Sequence, residues 1–153
     1  MTQAVTPQEV FHRLVDGVCR LVGGDASQAE NLAELYAERT HVEHPMALPS
    51  VDPLLTRDDL RRHFTGGPIE PIPDYRATDI VVHETADPEV IVAEFAYRGS
   101  VAGREFRVPC VFVLRVRDGQ IVESRDYISA LDRVRAVGGL DGLVDQLRTA
   151  PAK

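Results

Sequence analysis

Apolar positions in the first part of the chain follow a helical period. Val10, Phe11, Leu14, Val15, Val18, Leu21 and Val22 fall on one stripe. Thr6-Pro7-Gln8-Glu9 opens that stripe with a capping hydroxyl, a first-turn proline and a capping-box acid, and Gly23-Gly24 stops it. A second helix is predicted from a cap at Asp25, with Leu32, Leu35 and Tyr36 on its inner side. A third starts at Thr56-Arg57-Asp58-Asp59, carries Leu60, His63 and Phe64, and stops at Gly66-Gly67-Pro68.

The second half changes period. Thr78 to Glu84, Glu89 to Val101, Arg104 to Val116 and Gln120 to Ile128 are rich in Val, Ile, Phe and Tyr and are predicted as strands. Asp87-Pro88, Ala102-Gly103 and Asp118-Gly119 are the turns between them, too short for parallel crossovers, so the sheet is expected to be antiparallel. Leu131, Val134, Leu140, Leu143, Val144 and Leu147 predict a helical tail, interrupted at Gly138-Gly139. The expected fold class is α+β, a curved antiparallel sheet wrapped around three N-terminal helices. No repeat and no convincing second domain is visible, so residues 1–153 are expected to form one domain with a helical tail over 137–153.

Composition narrows the function. With 153 residues, 44% hydrophobic and 27% charged, the chain can bury a core of its own. The formal charge of −7 disfavours nucleic acid and anionic lipid as partners. No apolar run reaches the roughly 18–20 residues of a membrane span, and Met1-Thr2-Gln3-Ala4 lacks the features of a secretory signal, so a cytoplasmic location is expected. Cys19 and Cys110 are the only cysteines and lack metal-type spacing. Lys153 is the only lysine, a bias typical of GC-rich bacterial genomes.

Register decides which residues share a face. A two-residue turn at Ala102-Gly103 pairs Phe95 with Cys110, Tyr97 with Val108 and Ala93 with Phe112, an apolar set suited to the concave side. The Asp118-Gly119 turn allows two registers. A two-residue loop sets Asp126 opposite Val111, on the outer face. A three-residue loop with Gly119 as its bulge sets Asp126 opposite Cys110 and Ser124 opposite Phe112, facing inward. The bulged form is preferred, because it gathers Val108, Phe112, Leu114, Val122 and Ile128 on one face. It also aligns Glu94, Val111 and Arg125 in one row on the other. Val90, Val92, Ala96, Val111 and Val113 would then make the outer face apolar enough for a homodimer through the sheet.

Three short segments carry a resemblance. Leu35-Tyr36-Ala37-Glu38 precedes Val42-Glu43-His44-Pro45; Thr56-Arg57-Asp58-Asp59-Leu60 follows; Arg117-Asp118-Gly119-Gln120-Ile121 precedes Arg125-Asp126-Tyr127. In this order they resemble the nuclear transport factor 2-like superfamily, in its SnoaL-like and ketosteroid-isomerase-like branches, over nearly the whole chain. The resemblance implies a cone-shaped, cystatin-like α+β barrel with an apolar pocket. His44 would stand where ketosteroid isomerases keep a general-base aspartate, and Asp126 where SnoaL-like cyclases keep an acid or base. Gly17 and Phe112 replace the tyrosine and acid of the isomerase oxyanion hole. Ala93 to Tyr97 lacks the Arg–Asp pair of epoxide hydrolases. Neither of those known activities is therefore implied.

His44 and Asp126 are the expected catalytic pair, the carboxylate favouring a charged imidazole, in a pocket for a hydrophobic small molecule. Phe95, Tyr97, Cys110, Phe112, Ser124, His63 and Phe64 are the expected substrate-lining residues. The expected reaction is proton transfer in an isomerisation, cyclisation, dehydration or water addition; the other class is a ligand-binding or dimerisation module without turnover. His41 and His44 alternate across a strand and no paired histidine motif exists, so no metal and no cofactor are expected. Prolines at 45, 49, 53, 68, 71 and 73 stiffen the loops around the third helix, as a cavity rim or as ordered connections.

Overall fold

The computed structural model describes residues 4–66 and 70–150; Gly67 and Pro68, expected to help stop the third helix, lie outside them, as do the chain ends. Helix α1 (Pro7–Val22) forms as its sequence dictates. The Thr6 hydroxyl accepts from the Glu9 amide while the Glu9 carboxylate accepts from the Thr6 amide, so two end donors are satisfied reciprocally. Helix α2 (Gln28–Glu34) starts later than expected. Asp25 does not cap it; the carboxylate takes the amide and hydroxyl of Ser27 and the side-chain amide of Gln28. Strand β1 (Tyr36–Glu43) then begins at Tyr36, which the sequence had placed on the helix. Strand β2 (Leu54–Thr56) leads into helix α3 (Arg57–Thr65), whose Thr56–Asp59 capping box is complete.

Strands β3 (Arg76–Glu84), β4 (Val90–Val101), β5 (Arg104–Arg117) and β6 (Gln120–Ile128) form the expected antiparallel meander. Helices α4 (Ala130–Ala136) and α5 (Leu140–Thr149) follow, and α4 packs on β5. The sheet order is β2-β1-β6-β5-β4-β3, an α+β architecture whose sheet is open rather than closed. One pairing departs from the antiparallel expectation: β1 lies parallel to β6. Short turns dictate the sense of adjacent strands only, and 76 residues of helix, loop and meander separate the end of β1 from the start of β6.

The β4–β5 and β5–β6 turns are both two-residue turns with positive φ at each central position, 51° and 75° at Ala102-Gly103 and again at Asp118-Gly119. The first gives the expected register, Phe95 opposite Cys110 and Tyr97 opposite Val108. The second corrects the sequence reading. Its turn carries no bulge: Arg117 pairs with Gln120 and Val116 with Ile121. The extra residue comes later, at Val122, after which Arg115 pairs with Glu123, Leu114 with Ser124 and Phe112 with Asp126. Asp126 faces inward as expected, but through a bulge in the strand and against a different partner. Arg125 accordingly stands opposite Val113, and Tyr127, not Arg125, completes the row of Glu94 and Val111.

The core lies between the concave sheet face and α1, α2 and α3. Val10, Phe11 and Leu14 of α1 pack on Phe95, Phe112 and Leu114 of the sheet. Phe95 meets Phe11, Tyr97 and Phe112 edge-on with ring centroids 5.3, 5.0 and 4.9 Å apart, a geometry favoured by the ring quadrupoles. Gly17 is needed where α1 crosses α2: a Cβ there would come within 2.7 Å of Leu32. Among the described residues no helix is long and apolar enough to cross a membrane.

Candidate functional site: a histidine and an aspartate at a cavity

The β1–β6 pairing builds the site. Val42 sits beside Ser124 and Glu43 beside Arg125, so the next residue of each chain segment, His44 and Asp126, are neighbours on the concave side. The Val122 bulge makes this arrangement possible. It lets Ile121 point inward before the bulge and Ser124, Asp126 and Ile128 after it. Thr40 of β1 reaches across and donates to the carbonyls of Ile121 and Val122 at 3.3 and 3.0 Å. On the other side of β1, Arg57 Nε donates to the Tyr36 carbonyl at 2.9 Å and ties α3 to the strand.

His44 Nε2 lies 3.7 Å from Asp126 Oδ2, with only 15% and 8% of the two side chains exposed. The Ser124 hydroxyl donates a short hydrogen bond to the other carboxylate oxygen. Burial pushes the Asp126 carboxyl up to about 7, with the Ser124 bond opposing it. Burial, then His63 and Arg133, pull the His44 imidazole down to about 4. This reverses the expected charging of His44. A separation of 3.7 Å is too long for a charge-assisted hydrogen bond, so the contact does not repay the desolvation of two ions. Burial thus holds the proton on Asp126 to a higher pH than on an ordinary carboxyl and keeps the His44 imidazole neutral near neutrality.

The pair opens on a cavity of about 840 Å³ between α1, α3, α4 and the sheet. Leu14, Val18 and Leu21 of α1 and Val108 and Phe112 of β5 supply apolar wall. His63 stacks on His44 with ring centroids 5.3 Å apart; its outer edge is exposed, while its inner packing and Arg133 hold its pKa below the usual value. Phe64 meets His63 edge-on and Tyr97 stacks on Tyr75 at 4.9 Å.

Of the residues singled out in the sequence, His44, Asp126, Tyr97, Phe112, His63 and Phe64 line this cavity. Ser124 stands behind Asp126 as its hydrogen-bond donor, and is 1% exposed. Phe95 and Cys110 are buried but set back from the wall, Phe95 within the aromatic cluster and Cys110 with its thiol toward the Val108 carbonyl. The Cys110 thiol is pushed up to about 12, by burial and then by Asp126.

Tyr36, Tyr75, Phe106 and Arg133 are among the further wall residues. Tyr36, expected on the inner side of the second helix, is fully buried on β1 yet reaches the cavity beside Asp126; burial and then that carboxyl raise its phenol. Tyr75 and Phe106 had no periodic signal to mark them, the first in a proline-rich loop and the second near a hairpin end. Arg133 looked like an ordinary polar position between Leu131 and Val134, and only the docking of α4 brings it over the cavity.

The sequence profile of the SnoaL-like domain matches residues 19–124. An uncharacterised PhzA/B-like protein of Pseudomonas aeruginosa is 40% identical over 68 residues, 43% of this chain and 48% of that protein. The chain thus matches about half the length of that curated relative. A solved Bacillus subtilis protein, provisionally named an isomerase, is 26% identical, with a TM-score of 0.72 over 86% of this chain and 92% of that one. A phenazine biosynthesis-related protein of Pseudomonas aeruginosa shares the fold at 18% identity, with a TM-score of 0.59 over 91% and 89% of the two chains.

Proposed function

The chain belongs to the SnoaL-like domain family, and from that premise we propose that it is a small-molecule enzyme working by general acid/base proton transfer on a hydrophobic substrate. The observation that carries this reading is the His44–Asp126 pair, 3.7 Å apart and buried at an apolar cavity. A carboxyl group with its pKa near 7 is matched to proton transfer at neutral pH. Asp126, as carboxylate, takes a proton from a carbon next to a carbonyl. The C–H electron pair moves into the new carbon–carbon double bond, and charge develops on the carbonyl oxygen. Neutral His44 donates a hydrogen bond to that oxygen, as an uncharged imidazole can when its environment keeps it unprotonated. Returning the proton to another carbon isomerises the substrate; attack of the enolate on a second carbonyl cyclises it. Tyr97, Phe112, His63 and Phe64 hold the apolar body.

The test is turnover of a cyclisable or isomerisable ketone by wild type, Asp126→Asn and His44→Ala. A fall of ~10²–10⁴-fold in kcat for Asp126→Asn with the fold retained is expected. Unchanged rates in both variants, with ligand still bound, would make the chain a binding module instead.

A homodimer through the sheet is part of the same proposal. Met46 and Val81 are each about half exposed, and together with Val111 and Tyr127 they line a shallow depression of about 450 Å³ on the outer face. A monomer in sedimentation at micromolar concentration would count against it.

A further inference from the structure

Arg133 is the one cationic side chain on the cavity wall among the described residues once His44 and His63 are neutral. It makes no hydrogen bond or ion pair with any described residue. In contrast, Arg98, Arg107, Arg115 and Arg117, all on the sheet, lie against carboxylates. Its charge is nevertheless felt inside the cavity. It adds to the lowering of the His44 pKa after β1 and the His63 pKa on α3, and opposes the burial that raises those of Tyr75 in the loop before β3 and Cys110 on β5. Arg133, an exposed residue, itself lines the cavity together with His44, His63 and Tyr75. Asp126 makes no ion pair with it and takes its hydrogen bond from Ser124 instead. Glu70, the other charged group at the mouth, is exposed and does not pair with it.

We infer that Arg133 is the anchor for a carboxylate, and that the ligand of this cavity is a hydrophobic carboxylic acid. Resting on the proton-transfer proposal, this orients the substrate: carboxylate toward α4, apolar body against α1 and β5, reacting carbon at Asp126. A single planar fork suits a carboxylate, which it can grip through two parallel bonds. The formal charge of −7 and the neighbouring Glu70 make the mouth unsuited to a dianion.

Binding of 2-naphthoate and of its neutral isostere 2-naphthamide, measured by titration calorimetry at pH 7.5, tests the assignment. Wild type is expected to bind the carboxylate about tenfold more tightly, a typical gain for one charged hydrogen-bonding partner. Arg133→Gln should abolish that preference while leaving naphthamide affinity unchanged. Arg135→Gln, which removes the same charge from α4 away from the cavity, should retain it. Equal affinities in wild type, or a preference that survives Arg133→Gln, overturn the anchor. Failure of both ligands to bind overturns it together with the cavity. Because these titrations do not read turnover, loss of the anchor leaves the His44–Asp126 chemistry standing, and inactive pair variants leave the anchor standing.

Discussion

The Thr40 hydroxyl donates to the Val122 carbonyl at 3.0 Å, and the bulge it closes is what points Asp126 into the cavity. Thr40→Val keeps the shape and deletes the donor, leaving carbonyls at the bulge unsatisfied in a buried place. The expected cost is about 1–3 kcal/mol of stability. Misplacement of the carboxylate should also lower kcat by roughly 10- to 100-fold. Thr40→Ser should recover most of both. Urea unfolding together with turnover checks this, and a fully active Thr40→Val would detach the bulge from function.

Asp126 is expected to cost the protein stability. Its folded pKa is raised from 3.8 to about 7, so between those values the native state holds a proton that the unfolded chain has released. Stability therefore falls as pH rises across that window. His44, lowered from 6.5 to about 4, acts oppositely, and stability is lost as pH falls from 6.5 toward 4. Asp126→Asn removes the first effect alone. The variant should be more stable than wild type at pH 8, by about 2–4 kcal/mol, and little different below pH 4. Denaturant midpoints across pH 4–8 measure the difference. A variant equally destabilised at every pH would contradict it.

The rate should follow the same group. With Asp126 as base, log kcat/KM rises with unit slope below about pH 7 and levels above it. The neutral neighbours His44 and His63 and the phenol of Tyr36 should add no break near pH 6.5. A plateau already reached at pH 5.5 would mean that burial does not hold the proton on Asp126.

Neither cysteine should react in the native state. Burial pushes the Cys19 thiol up to about 11 and the Cys110 thiol up to about 12. At pH 8 iodoacetamide should label Cys110 roughly 10³-fold more slowly in the folded protein than in urea, because only the thiolate attacks. Mass spectrometry of timed samples reads this directly. Rapid native labelling would place the thiol in contact with solvent.

What could be read from the sequence was what local chemistry determines. Thr6 with Glu9 and Thr56 with Asp59 announce helix starts, and Ala102-Gly103 fixes a register, because each signal lies within a few residues of its effect. The parallel docking of β1 on β6 has no local signal, and neither does the Val122 bulge, whose support is Thr40 on a distant strand. The inward face of Asp126 was inferred correctly from the wrong irregularity, since either bulge restores the same alternation. His44 lost its expected charge because the cost of burial depends on the whole cavity. Arg133 escaped notice because a short helix gives an arginine no sequence mark of the space it overhangs.

The parallel pairing of β1 with β6 also sets the order in which the parts of the candidate site come together. The chain that emerges first contains the imidazole, but its neighbouring strand and its carboxylate come more than 75 residues later. A nascent or truncated chain ending before β6 therefore lacks Asp126 beside His44 and leaves one edge of β1 unpaired. That pairing must overcome the closure entropy of a long loop whereas the hairpins need only local turns, so the meander can assemble before β1 docks. Completion of the site is thereby a report on completion of the fold.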